Sequence, residues 1–382
     1  MADKVAAIIL AAGLSSRMKE FKPLLPLGRF TALERVILTM REAGVDDIRV
    51  VTGHRSPELE PVVAQLGAQI VFNRQYSRGM FSSVRAGVRS LGSDTDAFFA
   101  LPVDLALVRP ATVRRLLEVF RLGGADVIYP CFMGKRGHPP LIAGRHSRTI
   151  SSWRGREGLR GVLAMLQTGA LTVEVADELI LRDMDTPDDY RSMAAMATRL
   201  DIPTTMECRA LLGQVLGVDQ RIIRHGQQVA RLATELAAAL NRVGCSLDLD
   251  LLSAAGLLHD LARHEKDHAM AGARILRELG FASTARLVAS HMDLIVNESR
   301  PLTEAELLYL ADKMVLGERQ VSLVERFQCA RSRHNHDPEA LRRIDLRLET
   351  ARIIQRRCEA QLGSALRDLL PGGEQIPVQH AG

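Results

Sequence analysis

The sequence predicts an α/β domain built on a mostly parallel, three-layer sheet, followed by an all-helical domain. Two observations carry this. Up to residue 200 short β-branched runs alternate with helical patterns. Beyond Asp201-Ile202-Pro203-Thr204-Thr205 strand signals nearly vanish and long amphipathic helices take over. Strand–helix alternation needs crossover connections, and these put helices on both faces of a parallel sheet. The expected domains are 1–200 and 204–370, with 371–382 a disordered tail.

The elements follow in order. Val5–Leu10 is an unbroken apolar run, as a strand buried on both faces requires. Ile48–Thr52, Gln69–Phe72, Ala97–Leu101, Asp126–Tyr129 and Leu171–Val175 are short β-rich runs of the same kind. Between them Ala32–Ala43, Glu58–Leu66, Phe81–Leu91 and Ala111–Arg121 repeat apolar residues at helical spacing. In the second half the same spacing predicts helices Val218–Val243, Asp248–Ala262, Ala269–Leu279, Thr303–Leu316 and Pro338–Leu370.

Composition narrows the function classes. With 382 residues, 47% hydrophobic and 25% charged, the chain reads as an ordinary globular protein of two to three domains. No run approaches the ~18 apolar residues of a membrane span, and the start reads as a strand rather than a cleavable signal. A cytoplasmic protein with no membrane partner is expected. The net charge of +5 is spread along the chain with acids between, so no nucleic-acid partner is expected. Cys131, Cys208, Cys245, Cys329 and Cys358 form no CxxC pair and read as buried free thiols.

The chemistry begins after the first strand. Leu10 runs into Ala11-Ala12-Gly13-Leu14-Ser15-Ser16, a loop with almost no side-chain bulk, and Arg17 and Lys22 follow. Such a loop lets backbone N–H groups close around phosphate oxygens while two cations neutralise them. The glycine spacing is neither that of a Walker A loop nor that of a dinucleotide fingerprint. Asp104 ends the apolar stretch Phe98–Val103, placed either to hold Mg2+ against phosphates or to cap the next segment. In Asp183-Met184-Asp185-Thr186-Pro187 a helix cap explains Asp185 or Thr186 but leaves Asp183 free. Strand alternation would put Asp183 and Asp185 on one face. Asn73 to Val84 sets Gly79 and the pair Ser82-Ser83 at a helix start, and Gly137-His138-Pro139-Pro140 forms a rigid turn.

Taken in order, LAAGxSxRM…K, NxxxxxGMxxS, PVD, GHP and DxDTPxDY resemble the MobA-like NTP transferases over residues 5 to about 195, most closely the molybdenum cofactor cytidylyltransferase branch. The resemblance implies a Rossmann-like nucleotidyltransferase. In it a phosphate on a molybdopterin-type acceptor attacks the α-phosphorus of an NTP and releases pyrophosphate. It implies nucleotide binding by Leu10, Ala11, Ala12, Gly13, Ser15, Arg17, Lys22, Asn73, Gly79 and Ser83, and Mg2+ at Asp104 and Asp185. Arg17, Lys22 and Asp104 would be catalytic. Ala12, where the guanosine-using branch tends to carry glycine, favours CTP. The same resemblance suggests molybdenum enzymes or their chaperones as protein partners. The chain departs from the family at Lys19, Ala106, Arg156 and Leu159. Arg156 inverts a charge on the acceptor side, which keeps another phosphorylated acceptor, such as a sugar phosphate, open.

In the second half His259-Asp260 ends the apolar run Leu251–Leu258. Neighbouring residues on a helix project about 100° apart, so both can face one cation. With His225 before them and His268, His291 and Asp312 after, the order resembles the HD-domain metal-dependent phosphohydrolases over about residues 205–330. That implies one divalent metal held by His225, His259, Asp260 and Asp312, and room for a second at His268 and His291. Asp260 would be catalytic. The nitrogen and oxygen donors suit Mn, Fe, Zn, Mg or Co. Either a phosphohydrolase or a nucleotide- or metal-binding regulatory module would use them. His264, His334, His336 and His380 read as solvated, and Arg263 fills a position often held by lysine.

Overall fold

Val5–Leu10 forms β1, and Ala6 to Ile9 are fully buried in it. The strands that follow are β2 (Pro26–Leu27), β3 (Phe30–Thr31), β4 (Asp47–Thr52), β5 (Gln69–Phe72), β6 (Ala97–Pro102), β7 (Val127–Phe132), β8 (Lys135–Arg136), β9 (Leu141–Ala143) and β10 (Ala170–Glu174). The main sheet runs β10-β7-β9-β6-β1-β4-β5, with β8 on β7. β1 lies parallel to β4 and β6, so its apolar run is flanked by ladders on both edges. Only β8 and β9 run against the rest; β9 is inserted antiparallel between β6 and β7. The structure, a computed structural model, describes residues 3–366 apart from Ser16 and Lys19. Those two residues and the expected tail at 371–382 lie outside the described residues.

Seven helices of this first unit concern the site or its support: α1 (Ala32–Glu42), α2 (Ser56–Gln65), α3 (Met80–Ser90), α4 (Pro110–Arg121), α5 (Ser147–Ser152), α6 (Gly158–Met165) and α7 (Pro187–Ala197). Ala6, Ile8 and Leu10 pack with Val84 and Val88 of α3, Ile150 of α5 and Val162 of α6. Thr31 with Glu34, and Thr186 with Asp189, form capping boxes that start α1 and α7. The cap before α7 therefore falls on Thr186, and Asp185 is left for other work. The expectation of a strand through Asp183 and Asp185 is corrected: Arg182 to Asp185 are irregular and belong to no ladder. The alternation of acids there is real, but an extended coil shows the same period of two.

The chain divides into two units between Leu200 and Asp201. The second contains α8 (Thr205–Ala210), a π-helical turn Leu211–Val215, α9 (Gln220–Arg242), α10 (Leu249–Leu258), α11 (His268–Glu278), α12 (Ala282–Ser290) and α13 (Glu304–Lys313). A short hairpin of β11 (Val315–Leu316) and β12 (Arg319–Gln320) leads to α14 (Leu323–Arg333) and α15 (Pro338–Leu362). Its core joins Val229, Leu236 and Leu240 of α9 to Leu252 of α10, Leu307 to Leu310 of α13 and Ile354 of α15. Three expected helices are shorter than their apolar pattern; the one expected over Thr303–Leu316 stops at Lys313, and Val315–Leu316 pairs as a strand instead. α10 stops at Leu258, and α15 stops at Leu362, where Gly363 at φ 70 forms a left-handed cap. The cysteines are free, but Cys245 and Cys329 are only half-buried. Among the described residues no helix is long and apolar enough to cross a membrane.

Candidate active site and metal centre

The loops at the carboxyl ends of β1 and β6 and the start of α3 enclose a cavity of about 370 Å³. This is where parallel sheets leave room for ligands. Leu10, Ala11, Ala12, Gly13 and Ser15 line it along the β1 loop, and Arg17, Lys22, Gly79, Ser83, Asp104 and Asp185 close it. The Ser15 hydroxyl accepts the Lys22 backbone N–H at 3.2 Å, which folds the loop back and turns Lys22 inward. Lys22 Nζ then lies 3.3 Å from Asp104 Oδ2 and 2.8 Å from Asp185 Oδ1. Arg17 Nη1 donates to the other Asp185 oxygen at 3.0 Å.

The charges in this cavity do not rest alike. Burial pushes the Asp104 carboxyl above its ordinary value; Lys22 pulls it down, and the charges of Asp185 and Asp183 push it up again. Asp185 is held below its ordinary value, chiefly by its hydrogen bond from Lys22. The donors are all carboxylate oxygens, the chemistry that hard cations such as Mg2+ select. Lys22 now supplies the positive charge that such an ion would bring.

One expected binding residue does something else. Asn73 is buried and does not line the cavity. Its amide donates to the Ser82 hydroxyl at 2.8 Å and the Ser83 hydroxyl at 3.0 Å, while its carbonyl oxygen accepts the Gln75 N–H. It positions the serines at the start of α3. The Gly137–Pro140 turn likewise lies off the cavity wall.

In the second unit the backbones of α9 and α10 touch. A Cβ on Gly226 would stand 2.8 Å from the Leu257 carbonyl oxygen, and one on Gly256 would stand 2.5 Å from the Ala230 Cα. Glycine at both places brings His225 beside His259, with ring centres 5.2 Å apart. The row continues through His291 at 5.1 Å from His259 and His268 at 5.2 Å from His291. Asp260 stands between them. His225, His259 and Asp260 form one group able to hold a metal ion, and Asp260, His268 and His291 form another. Asp312 Oδ1 lies 3.2 Å from His225 Nε2 and 3.6 Å from His259 Nε2.

The imidazoles are oriented for ligation. Nδ1 of His225, His259 and His291 sits 2.8, 2.8 and 2.7 Å from the carbonyl oxygens of Gly317, Gly256 and Val288. A carbonyl can only accept, so Nδ1 carries a proton in each and Nε2 faces the cluster, where that of His225 also meets Asp312 Oδ1. Nε2 of His259 and of His291 is buried without a hydrogen-bond partner. An orphaned buried acceptor is costly, and a cation placed there would satisfy it. The residues therefore fit a divalent metal. Burial works against the Asp312 and Asp260 charges, but Lys313 and His225 for the first, and His268 and His291 for the second, hold both well below the ordinary carboxylate range. Arg263 Nη1 reaches Asp260 Oδ1 at 3.3 Å.

Comparison with known proteins agrees with this division. The model of the MobA-like NTP transferase domain matches residues 7–171. The molybdenum cofactor cytidylyltransferase of Escherichia coli (strain K12) is 30% identical over 187 residues, covering 49% of this chain and 93% of that protein. The chain belongs to the MobA-like NTP transferase family. Its second half carries an HD domain, matched at residues 222–316. The nicotine blue oxidoreductase of Paenarthrobacter nicotinovorans is also 30% identical, over 49% of this chain and 95% of its own length. Among solved structures, a nucleotidyl transferase from Methanothermobacter thermautotroptrophicus is 26% identical, covers 52% of this chain and all of its own, and superposes with a TM-score of 0.46.

Several cavity residues were not singled out from the sequence. Tyr76, Ser77 and Met80 line it from the segment that begins at Asn73, and Leu14 from the β1 loop. Tyr76 lies against His54, and a Cβ on Gly53 would stand 2.5 Å from the Tyr76 Cβ. The motif around Gly79 contained Tyr76, but an aromatic in a loop carries no signal of what it faces. Lys313 was also missed as a partner of Asp312, to which its Nζ donates at 2.6 Å.

Proposed function

We propose that the first unit is a CTP-dependent cytidylyltransferase acting on a molybdopterin-type acceptor, and that the second is a metal-dependent phosphohydrolase. The observation that carries the first part is the contact of Lys22 with both Asp104 and Asp185, in one cavity with the Ala11–Gly13 loop. The backbone of that loop and Arg17 would bind the triphosphate oxygens. Lys22 would swing from the two carboxylates to the α-phosphate, where negative charge grows as the acceptor phosphate oxygen attacks. The new P–O bond forms as the bond to the β-phosphate breaks, and pyrophosphate leaves. Asp104 and Asp185 would hold Mg2+, which supplies Lewis acidity and charge neutralisation at the phosphates. Positioning does most of the work in such a transfer. The relative of known activity named as a molybdenum cofactor cytidylyltransferase supports the acceptor class, and Ala12 supports CTP.

For the second unit, His225, His259, Asp260 and Asp312 would hold one divalent metal, and His268 and His291 with Asp260 a second. The bound ions would polarise a phosphoester. Arg263, beside Asp260 and His268, would turn its planar guanidinium from them to a phosphate.

The test is direct. The chain is incubated with Mg2+, each NTP in turn, and either molybdopterin or a sugar phosphate, and pyrophosphate is measured. Release with CTP and molybdopterin alone is expected. Release with another NTP, or only with a sugar phosphate, overturns the corresponding part.

A further inference from the structure

One surface of the first unit is not used by the reaction as drawn. Trp153 to Glu157 joins α5 to α6 and, with the first turn of α6, carries Arg154, Arg156 and Arg160, all exposed. Among the described residues none of the three makes an ion pair, a state they share with the exposed Arg29, Arg74 and Arg148 of this unit. Glu157 is the one acid in the segment, so its net charge is positive.

The position of the segment gives the charge a use. α6 runs down to β10, which is parallel to β7, so α6 begins on the face where the strands end. A Cβ on Gly158 would stand 3.0 Å from the Phe81 Cβ, and Phe81 follows Met80 of the cavity wall. Trp153 and Leu159 pack into the same core cluster as Phe81. The arginines are thus carried on a segment anchored against Phe81 of α3, the residue next to Met80 of the cavity wall. Arg78, between the lining residues Ser77 and Gly79, extends the positive rim and also has no ion-pair partner among the described residues.

The geometry points to an acceptor-side anion site: Arg154, Arg156 and Arg160 receive an anionic group of the acceptor in addition to the phosphate that attacks CTP. The acceptor class is then a small molecule with at least two separate anionic groups. This rests on the transfer reading above. An anion received by these guanidiniums would accept charge-assisted hydrogen bonds from them.

Trp153 is the single tryptophan of the chain and reports on this segment. The full chain is titrated with inorganic phosphate, with its nucleotide site filled by a non-hydrolysable CTP analogue and again without it, and Trp153 emission is followed. A saturable change is expected in the unsubstituted protein. It should weaken by about tenfold in Arg156→Ser/Arg160→Ser, the loss of roughly one charge-assisted contact, and recover in part in Arg156→Lys/Arg160→Lys. In the transfer assay the serine variant should show an acceptor KM raised by about tenfold, with the KM for CTP and kcat held. No saturable change, or equal binding by both proteins, overturns the site even where transfer is active. Phosphate binding that is lost in the serine variant supports the site even where the chain releases no pyrophosphate, an outcome that would instead overturn the transfer reading.

Discussion

Lys22→Met separates charge from packing in the first unit, because methionine keeps an unbranched stem and removes the ammonium. Lys22 is 12% exposed, Asp104 19% and Asp185 39%. Breaking a buried ion pair costs about 3–5 kcal/mol and an exposed one under about 1 kcal/mol, so the Asp104 contact falls between and the Asp185 contact near the lower end, about 2–3 kcal/mol together. At about 2–4 °C per kcal/mol for a unit of this size, the melting temperature should fall by roughly 5–10 °C. Trp153 lies in this unit and reads its melting apart from that of the second. Millimolar Mg2+ should restore most of the loss, since the freed carboxylates gain another cation. Transfer should nevertheless drop by about 10²–10³, the usual cost of losing one group that meets a developing oxyanion.

The pH dependence checks the cause. Asp104 has a folded value above its ordinary 3.8, so the folded unit binds its proton more tightly than the unfolded chain does. Its stabilising contribution is full below that value and is lost as pH rises through the folded value. Asp185 behaves oppositely: its contribution is present above 3.8 and is lost as pH falls through the lower folded value. Removing Lys22 raises Asp104 further and removes what favours ionised Asp185. The deficit of Lys22→Met should therefore be largest at neutral pH and shrink as Asp104 protonates. A deficit that ignores both pH and Mg2+ would refute the electrostatic account and leave only packing.

Two further outcomes are expected. Asp260→Asn should lower metal content at both candidate groups, because Asp260 belongs to each, whereas His268→Ala should spare the group with His225; elemental analysis of the purified chains decides. Gly53→Ala would set a methyl 2.5 Å from the Tyr76 Cβ and 3.0 Å from the Ala12 Cβ. Overpacking costs about 1–3 kcal/mol, and since Tyr76 and Ala12 both line the cavity the KM for CTP should rise by about tenfold; steady-state kinetics with unchanged constants would refute this.

The parts legible in the sequence are those fixed by short-range rules. β1 was readable because a strand buried on both faces must be an apolar run, and the loop after it because only small residues let backbone amides crowd together. β9 was not: Leu141–Ala143 is too short to show a period, and its place between β6 and β7 depends on distant pairing. Asp183 and Asp185 were misread as strand because alternation describes any extended chain. Asn73 stood in the right segment, but the sequence does not say whether an amide faces a ligand or its neighbouring serines. His225 and Asp312 lie 87 residues apart and were joined only through resemblance. The carbonyls that orient the imidazoles belong to Gly256, Val288 and Gly317, and every residue has one.

The two clusters also differ in what they require at rest. In the first unit Lys22 already sits between the carboxylates, so the cavity is neutralised by its own side chain and an added ion must displace that contact. In the second, Nε2 of His259 and of His291 is buried without a hydrogen-bond partner. Burial holds His291 below its ordinary value, whereas at His259 burial is outweighed by Asp312 and Asp260, which raise it. A resident cation would meet Asp260, Asp312 and the imidazoles together, and imidazole donors suit divalent transition metals. Dialysis against EDTA should accordingly lower the melting temperature of the second unit, followed by far-ultraviolet circular dichroism, and leave the Trp153-detected melting of the first unchanged. If chelation instead destabilises the first unit and spares the second, the assignment of a resident ion to the histidine row is wrong.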